Sequence, residues 1–377
     1  METRTKNAPG RVRDAIIQVL DESTEPLSIG QISARVSENI GETPTSSVRS
    51  YLRLNTPGLF LREGRGLYRS SNPRLTEEAS RGPVGKRQEP FRHLLSVLHH
   101  DDCLPWLERQ PGNSFHAVVT DPPYALYEYS DCQQAKLRSR KGGVWRIPPS
   151  FDGAVRNPIP RFTTLNQQQL AHIREFFELW GKLVRRAIVP GANVVVASNP
   201  LVSYLVSEAL ANSGLERRGE IIRLTMTMRG GDRPKGAHEE FPDVSVLPRS
   251  MWEPWLLFRK PLDGRVQDNL RKWGTGGFRR PGQDKPFGDV LPSAPTRASE
   301  RRIAPHPSLK PQSYMRTLVR GVLPTGEGVV LDPFAGAGST LAACNVVGYS
   351  SVGVEKDAEY FTLARESIPK LTEYGAD

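Results

Sequence analysis

Two groups of residues have types and spacing that can do chemistry. The first is Asp121-Pro122-Pro123-Tyr124, which closes the apolar run at residues 116–120. Two consecutive prolines remove two backbone donors and stop a strand there. The acid then stands at the carboxyl edge of a sheet, where open α/β folds bind ligands. The turn supplies two acceptors, the Asp121 carboxylate and the Pro122 carbonyl, and throws one flat ring, Tyr124, beyond them. A planar base carrying an exocyclic NH2 offers the complementary set, two donors and a π-face.

The second group lies in "GVVLDPFAGAGSTLAACNVVGYSSVGVE", residues 328–355. An apolar strand runs into Asp332-Pro333-Phe334 and a turn with Gly336 and Gly338, and a helix opens at Ser339-Thr340. Glu355 ends the next apolar strand. Glycines let the backbone approach a ligand closely, and a helix N-terminus offers free N–H groups and a positive dipole. An acid at the end of the second strand can accept both ribose hydroxyls. This pattern fits a nucleoside-containing cofactor, and a nicotinamide nucleotide fits nearly as well. The dinucleotide fingerprint differs in one respect: its third glycine is absent, and Thr340 stands in that place.

Both groups require a sheet with helices on its faces. Residues 91–377 alternate strands and helices and read as α/β. Expected strands are "LLSVLH", "HAVVTD", "NVVVASN", "WLLFRK", "GVVLDPF" and "SSVGVE". The segment "NQQQLAHIREFFELWGKLVRRAI" is expected to be one long helix with Leu170, Ile173, Phe177, Trp180 and Val184 inward. Residues 261–305 are rich in Pro, Gly and Arg, have almost no apolar period, and are expected to be irregular. Residues 73–90 read as a linker.

Residues 1–72 form a separate small module by the same reasoning. Val12, Ala15, Ile16, Val19 and Leu20 share one helical face. Ser28 is an expected N-cap for a second helix with Ile29, Ile32 and Val36 inward. A third helix buries Val48, Tyr51 and Leu52 and turns Arg49 and Arg53 outward, and a hairpin follows around Gly64 and Gly66. Three helices and a hairpin resemble a winged helix-turn-helix, which would set Arg49 and Arg53 against DNA. A small helical module that contacts another protein accounts for the same pattern.

Composition limits the rest. The 377 residues carry a formal net charge of +10, which suits a polyanionic partner, and 37% are hydrophobic. No apolar run is long enough to span a bilayer, and the N-terminus lacks the apolar core of a signal peptide, so an intracellular site is expected. Cys103, Cys132 and Cys344 are too few and too dispersed for a disulfide framework or a zinc knuckle. His99-His100-Asp101-Asp102 alternate faces if they lie in a strand, so a shared metal is not expected.

Taken together, these motifs resemble the S-adenosylmethionine-dependent DNA amino-methyltransferases, which methylate adenine N6 or cytosine N4. That family carries an acid- or Ser-Pro-Pro-Tyr tetrad and a Phe-x-Gly-x-Gly loop. Here the tetrad comes first, as in the permuted β-group. "HPSLKP", residues 306–311, is similar to the element that lines the methionine end of the cofactor, which implies roles for His306, Lys310 and Pro311. "LHHDDCLPWL" is similar to the segment whose Asp meets the cofactor adenine, although His100 and Asp101 replace the usual preceding residues, and it implies Asp102. "MWEPWLLFRK" resembles the family's Glu-Pro segment. The resemblance covers about residues 91–370.

It implies a Rossmann-like methyltransferase sheet and a flipped target base held by Asp121 and Pro122 and stacked on Tyr124. It implies that Phe334 packs near cofactor or base. Asp at the first tetrad position tilts the expectation to adenine N6, with cytosine N4 as the alternative. A third reading is a DNA-binding regulator that uses a methyltransferase-like domain as a cofactor sensor. The target-recognition region is expected at about residues 229–305, with Arg271, Lys272, Arg279 and Arg280 reading sequence. Lys136, Arg138, Arg140 and Lys141 are expected at phosphates. Expected partners are double-stranded DNA, a second copy of the chain and a restriction or defence component, in a cytoplasmic, nucleoid-associated setting.

Overall fold

The computed structural model describes residues 11–70, 89–123 and 167–375, except 22, 24, 55, 57–59, 64–65, 230–233, 235, 247, 249 and 307. The chain divides into two compact units, Met1–Arg87 and Gln88–Asp377. Among the described residues no helix is long and apolar enough to cross a membrane.

The first unit contains α1 (Arg11–Asp21), β1 (Leu27–Ser28), α2 (Ile29–Ile40), α3 (Thr45–Leu54), β2 (Phe60–Arg62) and β3 (Leu67–Ser70). Ser28 starts α2 with a capping box: its hydroxyl accepts from the Gln31 amide at 3.3 Å, and the Gln31 side chain accepts from the Ser28 amide at 2.9 Å. The inward residues of the three helices, including Ile16, Leu20, Ile32, Val36, Val48 and Leu52, form one core with Phe60. The strands pair antiparallel in the order β1-β3-β2. Arg49 and Arg53 are exposed on α3.

The second unit begins with β4 (Phe91–His93), β5 (Ser96–His100), α4 (Cys103–Glu108), β6 (Phe115–Thr120), α5 (Gln167–Ala187) and β7 (Ile188–Ala197). It continues with α6 (Ser203–Asn212), β8 (Glu216–Arg229), β9 (Ser250–Arg259), α7 (Val266–Trp273), β10 (Val290–Pro292) and α8 (Ala298–Ile303). It ends with α9 (Gln312–Val322), β11 (Val329–Asp332), α10 (Ser339–Val347), β12 (Ser350–Glu355) and α11 (Ala358–Glu373). Its nine strands form one sheet in the order β10-β8-β9-β7-β6-β11-β12-β5-β4. The central run β7-β6-β11-β12-β5 is parallel, and β9 pairs antiparallel with both β7 and β8.

The central strands are almost continuously apolar because helices cover both faces. Val118, Val194 and Val196 point to one face, where Trp106 of α4, Ile173, Phe177 and Trp180 of α5 and Leu210 of α6 pack. Ala117, Val119 and Val195 point to the other, against Tyr314 and Leu318 of α9 and Ala343 of α10. The alternation along β6 therefore builds a three-layer unit.

Two expectations change. Strand β8 is not legible in the sequence, which interleaves four arginines and two glutamates with its apolar residues. It is held as a strand by an antiparallel ladder with β9. Residues 261–305 are not irregular throughout: they contain α7, β10 and α8. The fully buried Asn269 donates to the Pro190 and Thr275 carbonyls at 3.1 and 2.8 Å and accepts from the Asp263 amide at 2.9 Å. Polar anchoring replaces the apolar period on which helix prediction relies.

Candidate active site

Four adjacent parallel strands end in acids on one edge of the sheet. Asp121 follows β6, Asp332 ends β11, Glu355 ends β12, and Asp101 and Asp102 follow β5. The register fixes this, with Asp332 opposite Gly353 and Glu355 opposite His100.

Asp121 is joined to a partly buried charged ladder. Lys310 Nζ lies 2.9 Å from Asp121 Oδ2 and 2.8 Å from Glu253 Oε1. Arg223 Nη1 donates to Glu253 Oε2 at 3.0 Å, and Trp255 Nε1 donates to the same oxygen at 3.3 Å. Burial pulls the Lys310 pKa down, but the Asp121 and Glu253 carboxylates more than offset it, so it stands above the ordinary lysine value. Lys310 is 7% exposed and paired on two sides, the condition under which a charge tolerates an interior.

The glycine turn is shaped by close approach. Gly336 and Gly338 have φ of 51° and 80°. A Cβ on Gly338 would stand 2.3 Å from Ile368 Cγ1 of α11, and one on Gly336 would stand 3.3 Å from His306 Nε2. Glu355 accepts from the Gly336 amide at 2.7 Å and from the Asp357 amide at 2.8 Å, so it ties the turn to the strand end. A carboxylate has about four acceptor positions, which leaves capacity for hydroxyl donors. Burial raises its pKa.

Asp332 is buried and accepts from the Thr120 hydroxyl at 2.6 Å and the Phe334 amide at 3.2 Å. Burial, only partly countered by these bonds and one from Thr340, pushes its pKa up to about 6. Asp102 caps α4 through the Leu104 amide at 3.0 Å and pairs with Lys356 at 2.7 Å. His306 packs edge-on to Tyr360, ring centroids 4.5 Å apart, and its Nδ1 accepts from the Ser308 amide at 3.2 Å. Burial, then the Lys310 charge, push its pKa down to about 4, so the imidazole is neutral at neutral pH.

The structure thus brings Asp102, Asp121, Asp332, Glu355, the glycine turn, His306 and residues 308–311 to one edge. Pro122 and Pro333 are buried there, and Pro123 is exposed. Pro311 caps α9, the Ser339 carbonyl accepts from Gln312 at 3.0 Å, and the Thr340 hydroxyl turns to Asp332. Lys310 engages Asp121 and Glu253. Phe334 lies against Phe176 and Trp180, ring centroids 6.2 and 6.0 Å apart, so it braces the turn on α5. His99 packs on Trp106 and His100 on Phe361, at 5.3 and 4.8 Å, on opposite faces of β5.

Four expected recognition residues are not brought to this edge. Arg271 and Lys272 are on α7, which anchors at Pro190 near the start of β7, and they pair with Asp268 and Asp263 at 3.0 and 2.7 Å. Arg279 donates to the Tyr349 hydroxyl at 2.9 Å, just before β12, and Arg280 to the Gln283 carbonyl at 3.0 Å. All lie toward the amino-terminal edge, about 20 Å from the acids by the length of a six-residue strand. Their positions follow from chain direction, which local composition does not encode. What does reach the edge with the acids is the end of β8 and the start of β9. Tyr124, Lys136, Arg138, Arg140 and Lys141 lie outside the described residues.

Glu253 and Arg223 are site residues that sequence reasoning misses. Glu253 carries a signal, the Glu-Pro pair at the head of a strand. Arg223 carries none, because β8 does not read as a strand.

Most of the second unit is similar to known proteins. The N6_N4_Mtase family model, described as DNA methylase, matches residues 115–366. The curated type II methyltransferase M.HindIII of Haemophilus influenzae is 22% identical over 72% of this chain and 94% of its own. M2.LlaDCHI of Lactococcus lactis subsp. cremoris, also a type II methyltransferase, is 20% identical over 74% and 91%. A Thermus thermophilus protein solved with S-adenosyl-L-methionine superposes with a TM-score of 0.46 at 21% identity, covering 74% of this chain and 95% of that one.

Proposed function

The chain belongs to the N6_N4_Mtase family of DNA methylases, and from that premise we propose that it moves a methyl group from S-adenosylmethionine to the N6 of an adenine flipped out of duplex DNA. The observation that carries this reading is the Asp121 carboxylate at the end of β6, on the same edge as the glycine turn and Glu355.

The donor set fits the cofactor. Carboxylates accept from ribose hydroxyls and favour a cationic ligand, and the positive φ of Gly336 and Gly338 sets the turn where a Cβ would press on His306 or Ile368. Glu355 would hold the ribose, Asp102 would face the adenine, and the turn at Gly336 and Gly338 would underlie the ligand. When bound, S-adenosylmethionine supplies an electrophilic methyl group on a sulfonium.

The residues of the chain act on the base. An exocyclic amine is a weak nucleophile because its lone pair is delocalised into the ring. Accepting its two N–H bonds at Asp121 and at the Pro122 carbonyl favours a pyramidal nitrogen and directs the lone pair outward. The amine would form its N–C bond as the C–S bond breaks, with the bonding pair leaving on sulfur and one amine proton passing to solvent. Asp121 stabilises the positive charge that grows on nitrogen, and its fixed position lowers the entropic part of the barrier. Tyr124, at the end of the tetrad, would stack on the base.

The test is transfer of labelled methyl from S-adenosylmethionine to duplex DNA, followed by nucleoside analysis. N6-methyladenine is expected. N4-methylcytosine would replace the target base, and no incorporation with intact cofactor binding would favour a cofactor-sensing regulator.

A further inference from the structure

The resemblance implies a place for Lys310 at the cofactor; in the fold its ammonium meets Asp121 and Glu253. We infer that Lys310, held by Glu253, is a positioning residue that fixes the Asp121 carboxylate as a hydrogen-bond acceptor for the target amine. The inference rests on the reading of Asp121 given above.

The geometry is specific. Lys310 is buried in the segment before α9, and its ammonium bridges two carboxylates at 2.9 and 2.8 Å, from the end of β6 and from β9. Glu253 is itself held by Arg223 from β8 and by Trp255. The order Arg223, Glu253, Lys310, Asp121 alternates in charge, so each group is compensated by its neighbour. The Lys310 head also lies 6.0 Å from the Trp255 ring centroid. The charged and titratable groups that face Lys310 are Asp121, Glu253, Arg223 and His306, and Tyr314 and Asp332 face Asp121.

This ladder does two things for the reaction. It engages Oδ2 and thereby sets the plane of the Asp121 carboxylate, which must meet an amine within a few tenths of an ångström. It also keeps a positive charge beside the carboxylate, which favours the ionised form and an acceptor role over a basic one.

The test compares Lys310→Met, Lys310→Arg, Glu253→Gln and Asp121→Ala in the full chain. The readouts are single-turnover methyl transfer at saturating cofactor, its pH dependence and cofactor affinity by calorimetry. Lys310→Met is expected to lower the rate about 100-fold, the scale of losing one preorganised polar group. Its cofactor affinity should stay within about threefold, well under the cost of a lost charged hydrogen bond. The acid limb of its rate–pH profile should move to higher pH, because a carboxylate without its cation protonates more readily. Lys310→Arg keeps the charge and should recover part of the rate.

Glu253→Gln should lower the rate less and move the alkaline limb to lower pH, since the Glu253 charge helps to hold the Lys310 proton. It carries the test alone if Lys310→Met fails to fold, and an unchanged rate and profile there would overturn the inference. So would a large loss of cofactor affinity in Lys310→Met with no shift of the acid limb, which would return Lys310 to the cofactor. Wild-type behaviour of Lys310→Met beside an inactive Asp121→Ala defeats the positioning role alone. An active Asp121→Ala defeats the underlying reading.

Discussion

At the residue scale, the proposed chemistry turns on one carboxylate. Asp121 sits where a strand is stopped by proline and where a buried ammonium meets it. Asp121→Ala is expected to reduce methyl transfer by about 100-fold or more while cofactor affinity persists, because it removes an acceptor aimed at developing charge. Single-turnover assays and calorimetry on the same preparation check both parts. His306 provides a second prediction. Its folded pKa of about 4 lies below the ordinary histidine value of 6.5. Between those values the unfolded chain binds a proton that the folded chain does not, so its contribution is present above pH 6.5 and lost as pH falls to about 4. The stability of wild type relative to His306→Gln should therefore rise from about pH 4 to pH 6.5 and then level off, as read by calorimetric unfolding.

At the element scale, the turn between β11 and α10 is a tight joint. Gly338 combines a φ of 80° with a Cβ position 2.3 Å from Ile368. Gly338→Ala adds backbone strain of about 1–2 kcal/mol and overpacking of about 1–3 kcal/mol. Denaturant unfolding should show a loss on the order of 2–5 kcal/mol by the same two effects. Gly348→Ala makes the control, since it shares a positive φ of 83° but meets nothing within 4 Å, so only the strain applies. Much of this joint can be read beforehand. An apolar strand, a glycine pair and an acid at the next strand end are local features. The ladder on the far side of the site cannot be read, because β8 looks polar when taken alone and becomes a strand only through its pairing with β9.

At the scale of the whole molecule, the two units have separate cores, so each can be tested by removing the other. Removing residues 1–87 is expected to leave residues 88–377 folded and able to bind cofactor. If Arg49 and Arg53 meet DNA phosphates, the slope of log affinity against log salt should become shallower by about one unit for each phosphate no longer neutralised. An unchanged slope and affinity would assign the first unit to a protein partner. Titrations of one duplex at several salt concentrations separate the two outcomes.

The sequence by itself determined the chemical vocabulary and the order of its parts: the Asp-Pro-Pro stop, the glycine turn, Glu355, and an α/β unit preceded by a small helical one. These signals are short-range, set by proline geometry, glycine freedom and hydrophobic period. The tertiary structure alone decided which charges meet. Lys310, Glu253 and Arg223 come from distant stretches and become partners only because β9 and β8 extend the sheet beyond β7 and the segment before α9 closes over them. It also decided which basic residues face the site: Arg271, Lys272, Arg279 and Arg280 went to the opposite edge because the strands beside them start there. Burial of a charge is settled by compensation from elsewhere in the chain, and no local pattern carries that information.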